Sequence, residues 1–372
     1  ESEYAELMEK IADYRDILAN EWRVLQIIRD ELTEIRRRFS DERRTGIEPY
    51  DGDIDLEDLI SEHTCVYTMT HFGYIKRLPL DTYRTQRRGG RGVTGITTRE
   101  EDFVEELFVG STHDYILFFT TKGRVYRLKG YEIPEAGRTA KGTNLVNLLE
   151  TEPGEKVSAM IPVSGYDEDK YLTMVTRNGT VKRTALSEYD SARKAGLIAI
   201  RLSEDDELVR VKLTGGNDTL IIGTRLGYAI HFSERDVRPM GRAAYGVRGI
   251  RLKPGDYVVG MSSARPGASL LTVTENGYGK RTPISEYGIQ RRGGQGLINY
   301  HITEKTGPVA GIRAVDETDD VMLISSDGVV IRVNAGEISE IGRATQGVRV
   351  MRLSEDVRLI AMARTPAEDD DE

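Results

Sequence analysis

Six copies of one glycine-marked β-hairpin, spaced about 50 residues apart, constrain this chain more than any other feature. The copies read VYTMTHFGYIKRL, ILFFTTKGRVYRL, YLTMVTRNGTVKRT, LIIGTRLGYAIHF, LLTVTENGYGKRT and VMLISSDGVVIRV. Each is an apolar strand, a short turn ending in glycine, and a second strand. The turn glycines are Gly73, Gly123, Gly179, Gly227, Gly277 and Gly328, at intervals of 50, 56, 48, 50 and 51 residues. Asn178-Gly179, Asn276-Gly277 and Asp327-Gly328 are dipeptides that hairpins favour, because the turn needs positive φ angles. A second glycine holds the same register: Gly92, Gly142, Gly246, Gly296 and Gly347 lie 19 residues after their hairpin glycine, and Gly196 lies 17 after. Between the markers run QRRGGRG, GRTAKG, ARKAG, GRAAYG, QRRGGQG and GRATQG.

A period near 50 with a hairpin in every unit predicts a propeller, with about four strands per blade and short protected edges. Single blades cannot bury both faces, so the repeats should fold as one domain. WD-repeat and kelch types fit poorly, since the lone Trp lies at position 22, outside the repeats. The expected class is therefore mainly β, a six-bladed β-pinwheel or propeller preceded by a long α-helix.

That helix is read from residues 4–39. One apolar seam runs Tyr4, Ile11, Leu18, Leu25, Leu32 and Phe39; the other runs Leu7, Tyr14, Glu21, Ile28 and Ile35. The run holds no Pro or Gly, as a coiled-coil-like helix requires. Trp22, Val24 and Ile27 widen the stripe, which favours packing in a bundle over a two-stranded seam. Gly46 and Pro49 stop it. The expected organisation is a helical arm end at 1–45, an acidic connector at 46–62, the pinwheel at 63–364 and an acidic tail at 365–372.

Charge follows these divisions. The whole chain carries −9, which argues against nucleic acid until it is divided. Residues 1–63 hold 19 acidic and 9 basic groups, whereas residues 64–363 hold 37 acidic and 42 basic ones. Acidic ends thus flank a basic body, and total charge says little about one face of it. The Glu368–Glu372 run reads as a disordered tail able to compete with a polyanion for the basic body.

The most informative stretch is Gln86, Arg87, Arg88, Gly89, Gly90, Arg91 and Gly92. Three guanidiniums bind phosphate oxygens bidentately while the glycines let the backbone approach a polyanion. Lacking a base-reading aromatic or a helix, the loop should bind backbone rather than sequence. The alternative is a solvated turn whose glycines only satisfy geometry. Its partial copy at 290–296 keeps Arg291 and Arg292 but replaces the third cation with Gln295, and should bind more weakly. The other loops keep Arg138 and Lys141, Arg193 and Lys194, Arg242, and Arg343. If equivalent corners point outward, these cations ring the rim and suit a wrapped duplex. Four strands at ~4.8 Å each, plus a narrow channel, give a rim radius of roughly 25 Å. Bending DNA halfway around such a rim costs on the order of 10 kcal/mol, which one loop cannot offset. A series of cationic contacts with counterion release can, at the expense of steep salt dependence.

Other chemistries find little support. One Cys excludes a disulfide scaffold and fits a reducing compartment. No apolar run approaches the ~18 residues of a membrane span. No GxxxxGK[ST] loop is present, so ATP binding by that route is not expected. His63, Cys65 and His71 lack a second ligand pair and read as alternating strand residues, so no metal site is expected. Most of the 18 Tyr residues read as packing residues, and no catalytic residue is assigned. Asp205, Asp206 and Glu207 read as a solvated turn between blades.

The QRRGGRG box resembles that of the C-terminal domain of the bacterial DNA gyrase A subunit, whose signature is QRRGGKG in its first blade. Arg91 replaces the usual Lys and keeps its charge. FSDERRTGI at 39–47 is similar to the end of the gyrase coiled-coil arm and IDLEDLI at 54–60 to the connector after it. GYIKRLPLDTY, GYGKRTPISEY and GRATQGVRVMRL resemble gyrase repeats. The resemblance implies a pinwheel that wraps double-stranded DNA with a positive crossing, without sequence preference, so that ATP-driven strand passage introduces negative supercoils. It implies Arg87, Arg88 and Arg91 as phosphate clamps, with Gly89, Gly90 and Gly92 shaping the loop. It also implies partners, the rest of the gyrase A protein and the gyrase B protein in an A2B2 complex, and a cytoplasmic, nucleoid-associated location. The cleaving Tyr would lie upstream of Glu1, and ATP and Mg would belong to the holoenzyme, leaving no cofactor and no catalysis in this chain. The corresponding topoisomerase IV protein is the nearest alternative, although its C-terminal domain usually lacks an intact box. A protein-binding propeller scaffold would show scattered charge and no Gly-Arg box. A propeller enzyme would need convergent carboxylates or His at the channel, which the hairpin strands do not supply consistently.

Overall fold

In the computed structural model, residues 2–41, 56–70, 72–80, 104–137, 140–327 and 329–365 are described. They fall into two units, residues 1–55 and 56–372.

The first unit holds two helices, α1 (Ser2–Ala19) and α2 (Glu21–Phe39), where the apolar rhythm predicts one. Asn20 separates them in an extended conformation, φ −122° and ψ 99°. Its side-chain amide donates to the Asp16 carbonyl (3.0 Å) and to Asp16 Oδ1 (2.6 Å). An Asn that binds the turn below it competes with the helical backbone, while the side-chain rhythm continues on either side. Arg23 reaches back across the break to Asp13 at 2.9 Å and Asp16 at 2.5 Å. Both apolar seams are exposed along the two helices.

The second unit is built from six antiparallel sheets, five of four strands and a sixth with three described strands. The six hairpins are Thr64–Thr70 with Tyr74–Pro79, Tyr115–Thr120 with Arg124–Lys129, Tyr171–Thr176 with Thr180–Ala185, Thr219–Thr224 with Tyr228–Ser233, Ser269–Thr274 with Tyr278–Pro283, and Asp320–Ser325 with Val330–Asn334. They define blades 1 to 6. On the inner side of each hairpin lies a longer strand: Val104–Ser111, Val157–Val163, Leu208–Thr214, Val258–Ala264, Val309–Val315 and Leu359–Thr365. These six neighbour one another in a closed ring, with Leu359–Thr365 beside Val104–Ser111.

The outer edge of a blade comes from the following repeat. Thr143–Asn144 pairs with Tyr74–Pro79 of blade 1, although it follows the hairpin of blade 2. Leu197–Ile198, Val247–Arg248, Leu297–Ile298 and Val348–Arg349 close blades 2 to 5 in the same way. No such strand is described for blade 6.

This exchange explains why two glycine markers stay in register. Among the described hairpins each turn has one positive φ, at the glycine (Gly277, 78°), and the Asn before it keeps an ordinary backbone. The turn is therefore three residues with a glycine bulge, rather than the two-residue turn that Asn-Gly suggests. The Gly277 carbonyl then accepts the amides of Val350 and Met351 (2.9 and 3.0 Å) from the next repeat. A Cβ on Gly277 would collide with the Met351 carbonyl oxygen. The second marker behaves alike: at Gly347, φ is 69° and a Cβ would meet the Gly279 oxygen at 2.6 Å. At these two markers one repeat's backbone lies against another's, and only glycine fits there.

Buried apolar side chains fill the space between neighbouring blades. Leu117, Phe119 and Val125 of blade 2 meet Leu172 and Met174 of blade 3, and similar clusters join the other successive pairs. The connector's end docks here too: Glu57, on the short turn Leu56–Leu59, pairs with Lys129 at 2.8 Å.

Candidate nucleic-acid interface

Because the second glycine marker opens each outer edge strand, the loop before it lies at the outer rim. The box at Gln86–Gly92 and the cation Arg138 lie outside the described residues. The remaining expected rim cations are described, and they divide into distinct fates.

Arg193 and Arg291 are exposed with no side-chain partner among the described residues. Lys194 is ion-paired with Glu132 at 2.8 Å. Lys141 sits over the Tyr74 ring, 3.5 Å from its centroid. Three arginines are built into the loops themselves. Arg242 Nη1 donates to the Glu188 carbonyl (3.1 Å), and Arg343 Nη1 donates to that of Ile298 (2.9 Å). Arg292 donates to the carbonyls of Asp236 (2.8 Å) and Arg248 (3.0 Å). A guanidinium so engaged keeps its charge but is not free to follow a ligand.

The loops also alternate in how they are held. Three residues after the hairpin glycine, blades 1, 3 and 5 carry Lys76, Lys182 and Lys280, all fully buried. Lys76 Nζ donates to the carbonyls of Gly137 (3.2 Å) and Ala140 (3.0 Å) in the next repeat's rim loop. Lys182 donates to Arg242 O and to Ala199 O (2.6 Å). Lys280 donates to Gly342 O (2.7 Å), Arg343 O and Thr345 Oγ1 (3.1 Å). Burial pushes Lys182 down to about 7 and Lys76 and Lys280 down to about 8. Blades 2, 4 and 6 have Tyr126, Ile230 and Ile331 at this position. There Gly196 lies against the Tyr126 ring, where a Cβ would come within 2.5 Å.

The arginines that follow the Lys of each pair are internal as well. Arg77 donates to the Ile133 carbonyl (2.7 Å) and pairs with Glu135 (3.2 Å). Arg183 pairs with the buried Glu234 at 3.4 Å, and Arg281 donates to the Ile338 carbonyl (2.9 Å). Three Lys-Arg dipeptides that look basic in the sequence thus hold the rim from inside.

A second set of outer cations escapes a reading confined to the boxes. Arg201, Arg248 and Arg251 are exposed around an open groove of about 500 Å³, together with Tyr245. Arg201 lies 5.6 Å from the centroid of the Tyr245 ring. The backbone amides of Arg201 and Arg251 donate to Ala244 O (3.2 Å) and Gly294 O (2.8 Å), so this row abuts the next repeat's loop. The signal lies five residues past the second glycine, where Arg201, Arg251 and Arg352 recur in repeats 3, 4 and 6.

Elsewhere, Cys65 is buried, and His71 lies outside the described residues. Asp206 Oδ1 accepts the amides of Asn178 and Glu207 (2.9 Å each), which makes it a turn residue. No helix among the described residues is long and apolar enough to cross a membrane.

Known proteins share this arrangement. Six consecutive segments between residues 66 and 366 match the family described as DNA gyrase C-terminal domain, beta-propeller. The DNA gyrase A protein of Clostridium acetobutylicum is 52% identical over 372 residues, covering 100% of this chain and 45% of that protein. Its counterpart in Staphylococcus epidermidis is 50% identical over 375 residues, covering 100% and 42%. The chain therefore spans less than half the length of these relatives. Among solved structures, the C-terminal domain of DNA topoisomerase IV aligns with a TM-score of 0.72 at 27% identity, covering 83% of this chain and 95% of that one. A DNA gyrase A C-terminal domain aligns at 0.66 and 30% identity, covering 81% and 99%. With six matched repeats in a six-bladed ring, the chain belongs to the DNA gyrase A C-terminal propeller family.

Proposed function

We propose that this chain wraps duplex DNA around its outer rim, contacting the phosphate backbone without reading base sequence, and that the wrap has a positive crossing. The observation that carries this reading is the row of exposed arginines, Arg201, Arg248 and Arg251, running beside successive rim loops. Backbone phosphates repeat at short intervals, so a periodic row of guanidiniums fits them better than one local site. Gln86–Gly92 is the strongest phosphate clamp in this reading, and Arg193 and Arg291 are its freest described companions. The fixed arginines Arg242, Arg292 and Arg343 shape the loops and add to the local potential.

Wrapping of this hand serves the ATP-dependent type II topoisomerase DNA gyrase, whose A proteins match the whole of this chain. The chain acts with the rest of the gyrase A protein and with the gyrase B protein in an A2B2 assembly, in the cytoplasm at the nucleoid. Strand cleavage by Tyr, ATP and Mg belong to other parts of that assembly, and this chain contributes DNA handling alone. Replacing Arg87, Arg88 and Arg91 together by Ala in the reconstituted enzyme should abolish supercoiling while relaxation persists. Retained supercoiling would overturn the reading.

A further inference from the structure

The central channel offers a second place for an anion, remote in kind from the rim. Its cavity of about 490 Å³ is bounded by the inner strands, and Arg210, Lys212 and Arg313 line it. Arg210 is the only one of the three with a partner among the described residues, Glu106 at 2.6 Å, and this pair joins the inner strands of blades 3 and 1. Lys212 and Arg313 make no hydrogen bond or ion pair there, although both are only partly accessible. Arg364, on the neighbouring inner strand, is taken up by Asp319 at 2.7 Å. The other titratable groups along the wall are engaged elsewhere or exposed. Glu155 accepts from the Tyr126 hydroxyl (2.8 Å), Glu207 pairs with Arg177 (3.7 Å), and Lys156 is exposed. Among the described residues three cations therefore face one carboxylate in a confined space, leaving two positive charges uncompensated there.

Uncompensated charge in a poorly solvated place is costly, and the group answers by losing its proton or gaining a counter-ion. The molecule shows the strain of this arrangement. Burial, with Arg210 and Arg313 beside it, pushes Lys212 down to about 7, and burial with Arg210 pushes Arg313 down to about 10. The same neighbours, Arg210 foremost, hold Glu106 below the usual carboxylate range against the effect of its burial. Each group feels the others, and Arg210, Lys212 and Arg313 line one cavity.

We infer that the central channel binds a divalent oxyanion of the phosphate type between Lys212 and Arg313, with Arg210 at its edge. Two uncompensated charges match a dianion. A guanidinium fork from blade 5 and an ammonium from blade 3 line the same cavity, and both suit an oxyanion of the phosphate type. A bound dianion supplies the negative charge that Glu106 alone does not, and so ties the inner strands of blades 1, 3 and 5 together. It adds a ligand to the ring without adding one to the rim.

The test compares thermal unfolding of the 372-residue chain in sodium phosphate and in sodium chloride of equal ionic strength. Phosphate at tenfold its dissociation constant should raise Tm by about 2 °C beyond chloride, and the rise should saturate. The double variant Lys212→Met and Arg313→Met, of similar size, should melt above wild type in chloride and gain nothing further from phosphate. The rim variant Arg201→Gln, Arg248→Gln and Arg251→Gln should keep the phosphate rise, since those residues lie outside the channel. Should the double variant not fold, ³¹P line broadening by wild type, competed by sulfate and unaffected in the rim variant, reports the same site. A phosphate-specific rise that survives in the double variant, or its absence from wild type, overturns the inference.

Discussion

The Lys-Arg pairs of the hairpins and the arginines of the outer groove are the same chemistry put to opposite uses. Lys76-Arg77, Lys182-Arg183 and Lys280-Arg281 are buried or nearly so; the lysines, Arg77 and Arg281 donate to the protein's own oxygens, and Arg183 is ion-paired with Glu234 at 3.4 Å. Arg201, Arg248 and Arg251 are exposed, two repeats side by side, with little to hold them. One set fixes where the rim loops stand; the other is available to whatever meets the rim. Net charge adds the two sets together, although only the second can exchange counterions for a phosphate backbone.

The sharpest way to break that division is to remove the buried set. Lys182→Met with Lys280→Met leaves several carbonyls without a donor, at about 2 kcal/mol for each lysine removed. Urea unfolding should register a loss of about 4 kcal/mol if the two distant sites add. Loss of DNA affinity with unchanged stability would mean that these lysines are not structural.

The converse variant, Arg201→Gln with Arg248→Gln and Arg251→Gln, should leave stability within about 0.5 kcal/mol, as solvated surface changes do. Its DNA affinity should fall, and the slope of log K against log salt should become shallower by up to ~0.9 for each phosphate left unneutralised. Titrations at several salt concentrations give both numbers. Between these extremes stand Arg292 and Arg343. Changing either to Gln should cost about 1 kcal/mol of stability through its missing carbonyl bonds, whereas Arg193→Gln and Arg291→Gln should cost none and weaken only DNA binding.

A separate effect is in pH. Lys76, Lys182 and Lys280 have folded-state values below the ordinary 10.5, so between about 7 and 10.5 the unfolded chain binds protons that the folded one does not. Stability contributed by these sites should therefore rise as pH rises through that window. Melting curves at about pH 7.5 and about pH 9 should show the rise in wild type and less of it in the double Met variant.

The periodic parts of this architecture are plain in the sequence. Two glycines per repeat keep a fixed spacing, and at Gly277 and Gly347 the steric reason is the backbone of a neighbouring repeat. The fate of each cation is less so. In a half-exposed strand, alternation would place Lys76 and Arg77 on opposite faces, one of them wet; in a blade, both faces are covered by neighbouring blades. The row through Arg201 and Arg251 is equally readable, but it lies past the glycine that ends each box. The break at Asn20 leaves the apolar rhythm untouched and shows only as a polar side chain able to cap the turn below it. The box itself, Gln86–Gly92, carries its argument entirely in composition, since it lies outside the described residues.

Wrapping is tested most directly by binding this chain to nicked circular plasmid, sealing the nick with ligase, removing the protein and reading the linking number on a gel. A positive shift that grows with protein, disappears with Arg87→Ala, Arg88→Ala and Arg91→Ala together, and shrinks in high salt or with the Arg201, Arg248 and Arg251 changes is the predicted result. Binding that leaves the linking number unchanged would contradict it.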